Sequence, residues 1–128
     1  MSGTYRDLRA WQKAFDLALV IYEATRTFPK DETYGLSSQL RRAAVSVVSN
    51  IAESKGRCSD KDTLRFLANA RGSLFEVETQ IGLAERLSYI EKTRAEHIIS
   101  EASEVGKVLN GLMRAFNGQT STTAADFA

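Results

Sequence analysis

Six cations lie close together in this chain: Arg41, Arg42, Lys55, Arg57, Lys61 and Arg65. Side chains of this type displace condensed counterions from phosphates, which gives salt-sensitive binding that ignores base sequence. With Arg71 they face only Glu53, Asp60 and Asp62, whereas the stretch from Glu76 to Glu104 is acidic. The formal net charge is only +1, so any such field is local and not molecule-wide. Phe66 is the one aromatic near the set, and its helical setting points to packing and not to base stacking. A single chain should therefore hold nucleic acid weakly, and repetition of the patch in an oligomer would add avidity. The plain alternative is a solvated helix face.

Other chemistry has less to stand on. The single histidine, His97, has Arg94 three positions before it, so the Glu-x-x-His pair of a di-metal carboxylate bundle is missing. Cys58 is the only cysteine, which excludes an intramolecular disulfide and a thiolate cluster within one chain. No spacing marks Cys58 or a serine as a partner for His97. Gly35, Gly56, Gly72 and Gly82 are isolated and form no phosphate loop. The expectation is no catalytic residue, no metal, no cofactor: not an enzyme.

The polar residues within the two middle helices need explaining. Arg42, Ser46, Asn50 and Glu53 recur at helical spacing beside an apolar stripe, and Arg71, Glu78 and Gln80 do so on the next helix. Asn50, Glu53, Arg71 and Glu78 are expected to form a buried network, with Arg71 paired to Glu53 or Glu78 between the second and third helices. Fixing the register of neighbouring helices is the best-attested use of such groups. The alternative is that they line a subunit interface or a channel.

Four amphipathic segments must position these residues. The first is expected over about 7–27, capped by Asp7 and ended before Pro29, with Leu8, Trp11, Phe15, Ala18, Tyr22 and Thr25 as its core stripe. Leu17 to Tyr22 is apolar on other faces too, more than one small bundle covers, so self-association is expected. A polar connection, Phe28 to Tyr34, leads to a second helix over 36–56 with Leu40, Ala43, Val47 and Ile51 inside and Gly56 as a left-handed end. Ser59 caps a third helix over 60–87, with Asp62 three positions on. Its stripe is Thr63, Leu67, Ala70, Leu74, Val77, Ile81 and Ala84. After a turn at Ser88 to Ile90, the fourth helix, 91–116, repeats Ala95, Ile98, Ala102, Val105, Leu109, Leu112 and Phe116. The remainder, 117–128, is polar and aperiodic and reads as a flexible tail.

The fold class that follows is all-α, an antiparallel up-down-up-down four-helix bundle with short loops occupying residues 1–116. At 128 residues and 43% hydrophobic, one domain of this kind buries an adequate core. The N-terminus lacks the apolar core of a signal peptide, and no apolar run approaches the roughly 20 residues that span a bilayer. A cytoplasmic protein with no membrane partner is expected.

Several stretches carry a resemblance. Gly35 to Glu53 and Ala70 to Gln80 are the densest, joined by Tyr5-Arg-Asp-Leu, Trp11-Gln-Lys-Ala, Phe28-Pro-Lys and Leu109-Asn-Gly-Leu. From about Tyr5 to Phe116 the chain resembles a family of small bacterial four-helix-bundle proteins encoded in intervening sequences of large-subunit ribosomal RNA genes. Accessory proteins of diversity-generating retroelements are related to that family. The resemblance implies a homopentameric ring, with RNA, DNA or a nucleic-acid-handling protein as partner. Val48 stands where that family often has proline, which implies a straighter second helix, and Ser54 where glycine is usual. The near-neutral charge departs from the strongly basic retroelement proteins. A protein–protein adaptor without nucleic-acid affinity is therefore the rival reading.

Overall fold

The computed structural model describes residues 3–117, which form four α-helices: α1 (Arg9–Thr25), α2 (Leu36–Lys55), α3 (Asp60–Arg86) and α4 (Lys92–Asn117). Each helix packs on the next and α4 closes back on α1, while the backbones of the diagonal pairs stay more than 8 Å apart, Cα to Cα, among the described residues. This is the expected up-down bundle. None of its helices is long and apolar enough to cross a membrane. Beyond Asn117 the expected tail lies outside the described residues.

The core follows the predicted stripes on the middle helices without exception. Leu40, Ala43, Val47 and Ile51 of α2, and all seven stripe residues of α3, are buried. Each of the larger aliphatics among them contributes about 1.5–3 kcal/mol by leaving water. On α4 the stripe holds through Leu109 and then passes to Met113, leaving Leu112 and Phe116 half-buried. A strict three-four alternation averages 3.5 residues per turn, so it drifts off one face of a 3.6-residue helix.

The first helix departs from expectation. Its buried face is Ala10, Ala14, Leu17, Ile21, Ala24 and Thr25, whereas Phe15 and Tyr22 are each 43% exposed. Alanines let the backbone of α1 approach α2 and α4 closely, and the bulky aromatics are left on the rim. There Tyr5 meets Trp11 edge to face and Trp11 stacks on Phe15, with ring centroids 5.4 and 4.9 Å apart. Asp7 does not cap α1. It closes a capping box with Thr4 around a short 3-10 turn, Tyr5–Asp7, and extended Leu8 separates that turn from the helix.

Loop chemistry sets the remaining ends. Phe28, in the connection expected to be polar, is buried against Tyr89 at 5.5 Å. Gly56 has φ −95° and is not left-handed. Ser59 caps α3 as expected, accepting from the Asp62 N–H at 3.1 Å. Among the described residues other than glycine, the left-handed one is Ser88, φ 64°, where the Tyr89 N–H reaches back to the Ala84 carbonyl at 2.8 Å. That is a Schellman end without glycine. Val48 sits in an uninterrupted α2, and Ser54 is buried, its hydroxyl donating to the Ile51 carbonyl at 2.6 Å.

Candidate binding surfaces

The six cations do not form one patch. Arg41 is near the start of α2 and Lys55 at its end, fourteen residues or about 21 Å along the axis. Arg41 turns toward α1: its Nε donates to Thr25 Oγ1 at 2.7 Å, Nη2 donates to the Tyr22 carbonyl at 3.4 Å, and the guanidinium lies 4.8 Å from the Tyr22 ring centroid. It fastens the end of α1 to α2. Arg42 is exposed in a different groove, described below.

The other four gather where α2 meets α3. Arg57 and Arg65 both lie against Phe66, at 4.8 and 4.5 Å from its centroid, an arrangement that cation–π attraction favours. Each also has a carboxylate on its own helix side: Arg57 with Glu53 at 3.1 Å and Arg65 with Asp62 at 2.9 Å. These are exposed pairs, so they lower the local field without fixing the side chains strongly. Lys55 and Lys61 are exposed and have no ion-pair partner among the described residues. Phe66 is half-buried and its ring carries two guanidinia, a role that packing alone does not describe.

The expected buried network takes another form. Glu53 is exposed and turned to Arg57. Arg71 faces α4, not α2, and donates to Asn110 Oδ1 at 3.4 Å. Glu78 lies two turns further along the same face of α3, half-buried. Burial holds its carboxyl above the ordinary range, and no partner for it exists among the described residues. Of the four residues, only Asn50 lies on the α2–α3 seam as expected. The arithmetic of a 100° step explains the rest: Arg71 and Glu78 lie on the opposite flank of the α3 core stripe from Ser73 and Gln80.

What joins α2 to α3 instead is a ladder of uncharged groups. Ser46 and Ser73 share a hydrogen bond of 2.8 Å, and the Asn50 amide donates to the Ser46 carbonyl and hydroxyl at 2.9 and 3.1 Å. Seven residues away on each helix, Gln80 Nε2 donates to Gln39 Oε1 at 3.3 Å. The two contacts share one antiparallel register. Gln80 Oε1 is buried with no partner among the described residues. Tyr34, Arg42 and Glu76 join these groups around an open groove of about 570 Å³. Gln39, Ser73 and Asn110 were not foreseen. Gln39 and Ser73 stand at helical spacing beside Ser46 and Gln80, which is the signal that marks them.

Cys58 and His97 stay apart. Cys58 is exposed in the α2–α3 connection, and His97 is near the start of α4, at the other end of an antiparallel bundle. His97 contacts Glu101 of its own helix at 2.9 Å. A nucleophile and base that are not within hydrogen-bond reach form no catalytic pair.

Comparison with known proteins gives the fold a context. A crystal structure of a protein with unknown function from the S23 ribosomal protein family of Bacteroides thetaiotaomicron superposes with a TM-score of 0.74 at 24% identity. The match covers 82% of this chain and 98% of that one. At that identity the likeness concerns the fold. No curated protein matches the chain. The model of the 23S rRNA-intervening sequence proteins matches residues 6–111, all of α1 to α3 and most of α4, and the chain belongs to that family.

Proposed function

We propose that this chain is a non-enzymatic, cytoplasmic bundle protein that associates with itself and acts through binding, with weak, sequence-independent attraction for nucleic acid. The observation that carries the nucleic-acid part is the α2–α3 corner, where Arg57 and Arg65 lie over Phe66 and the exposed Lys55 and Lys61 stand at the facing ends of α2 and α3. Four cations at one corner attract phosphate, and two neighbouring carboxylates keep the attraction weak. Arg41 and Arg42 lie outside that corner and are not assigned to it. Self-association is supported by the exposed apolar residues of α1 and α3, since a monomer would leave them in water. It multiplies the corner and so raises avidity.

Salt dependence tests the proposal. Each phosphate contact contributes a log–log slope of about −0.7 to −0.9. Fluorescence anisotropy with single-stranded RNA and DNA should show affinity falling with salt, and the doubly reversed Arg57→Glu, Lys61→Glu variant should flatten the slope. Absence of binding at low salt would favour the protein-adaptor reading, which the uncharged α2–α3 ladder and its groove suit.

A further inference from the structure

The groove along the α2–α3 seam has a repeat and a charge pattern that the chain itself does not use. Its hydrogen-bonding groups come in two sets, Gln39 with Gln80 and Ser46 with Ser73, seven residues apart on each helix. That is about 10.5 Å along the axis. Arg42 borders the groove from α2 and Glu76 from α3, within one position of the same register. Both are exposed, and neither has an ion-pair partner among the described residues. Tyr34, 95% exposed, stands just before α2 at one end of the groove.

These features narrow the occupant. Small-molecule sites are concave and mostly apolar, whereas this groove is open and polar. One guanidinium opposed by one carboxylate gives no net attraction for a phosphate chain. A protein segment remains, and tyrosine and arginine are residue types on which such contacts often centre. An extended segment presents the same face every two residues, about 6.8 Å, and falls out of step with the seam. A helix returns to the same face after seven residues, about 10.5 Å, and stays in step with both sets.

We propose that the groove receives a helix of a partner protein, whose docking face carries amide or hydroxyl side chains seven residues apart, with an acidic edge toward Arg42 and a basic edge toward Glu76. This rests on reading the chain as a protein that acts through binding, and it does not involve the cationic α2–α3 corner. Gln80 is half-buried, so a small turn of its carboxamide brings Oε1, buried with no partner among the described residues, to an amide donor of that helix. The opposite charges on the two lips also fix the direction of the helix, because turning it end for end exchanges its edges.

Synthetic helical peptides of about three heptads, labelled for fluorescence anisotropy, test the proposal. All carry glutamine and serine at seven-residue spacing. The mixed peptide has glutamates along one edge and lysines along the other, and two companions have glutamates on both edges or lysines on both. Wild type should bind the mixed peptide more tightly than either companion. Arg42→Glu should prefer the lysine peptide and Glu76→Arg the glutamate peptide, each exposed pair shifting affinity by up to about fivefold. Both positions are exposed, and circular dichroism checks that the helices remain. Arg57→Glu with Lys61→Glu should leave the affinity for the mixed peptide unchanged, which separates the groove from the cationic corner. No binding of the mixed peptide at millimolar concentration, or a preference that the two groove variants leave unchanged, overturns the partner helix while leaving the nucleic-acid reading standing. A mixed peptide that lowers the mass of the wild type in light scattering assigns the groove to a second copy and equally overturns it.

Discussion

Tyr89 and Glu32, 57 positions apart, meet at one end of the bundle, where the phenol donates to Glu32 Oε2 at 2.8 Å. The other carboxylate oxygen accepts from the Leu36 N–H, also at 2.8 Å, and so caps α2 from four residues back. One carboxylate thus ties the α1–α2 connection to the α3–α4 turn. The Leu36 N–H first, then the Tyr89 hydroxyl, hold the Glu32 carboxyl below its ordinary range, and Glu32 in turn raises Tyr89.

The sign of the pH effect follows. A carboxyl whose folded pKa lies below its unfolded value stabilises the fold above the unfolded pKa, and that contribution is lost as pH falls through the folded value. Glu32→Gln should therefore lower the urea midpoint at pH 7. The difference from wild type should shrink at a pH below the ordinary carboxylate range. An equal difference at both pH values would show that the charge is not what matters.

Ser88 carries a left-handed backbone that suits glycine. An L-residue there costs roughly 1–2 kcal/mol, part of which glycine gives back as unfolded-state entropy. Ser88→Gly should raise stability by about 0.5–1 kcal/mol. Ser88→Val should lower it, since a β-branched side chain is still less suited to positive φ. Thermal melts of the two variants, moving in opposite directions, would check the assignment.

The ladder between α2 and α3 is measurable as a coupling. Ser46→Ala strands Ser73 and removes one Asn50 contact, and Ser73→Ala leaves the Ser46 hydroxyl with only its Asn50 contact. Each single change should cost about 0.5–1.5 kcal/mol, and the double variant should cost less than their sum. Strict additivity in a denaturation cycle would remove the ladder as a register device.

Arg41 separates structure from binding. Its bonds to Thr25 and Tyr22 are internal to the chain, so Arg41→Ala should cost about 1–2 kcal/mol in stability through lost hydrogen bonds and ring contact. The salt slope of any nucleic-acid binding should be unchanged. A flattened slope with unchanged stability would return Arg41 to the binding set.

Much of the fold is legible along the chain because helical periodicity is local. The stripes of α2 and α3 each run unbroken at helical spacing, so one face is unambiguous, and Ser59 marks its helix start by side-chain chemistry that needs only the next three residues. In α1 the run Leu17 to Tyr22 offers apolar residues on every side, so the sequence permits several rotations of the helix about its axis. Packing selects the one that places small alanines against the neighbouring helices and leaves Phe15 and Tyr22 outside. The cations show the same division. Their types and spacing are written in the sequence, but which belong together depends on the helices they ride: fourteen residues of α2 carry Arg41 to one end, and the antiparallel return of α3 brings Arg65 beside Arg57 across Phe66. Partner choice for Arg71 is likewise open, because Glu53 and Asn110, on the neighbouring helices, become neighbours or strangers to it only once the helices share a register. On α2 and α3 the sequence by itself determines which residues leave water. Only the tertiary structure decides which of the polar ones meet, because that depends on rotations and offsets between helices that no single helix encodes.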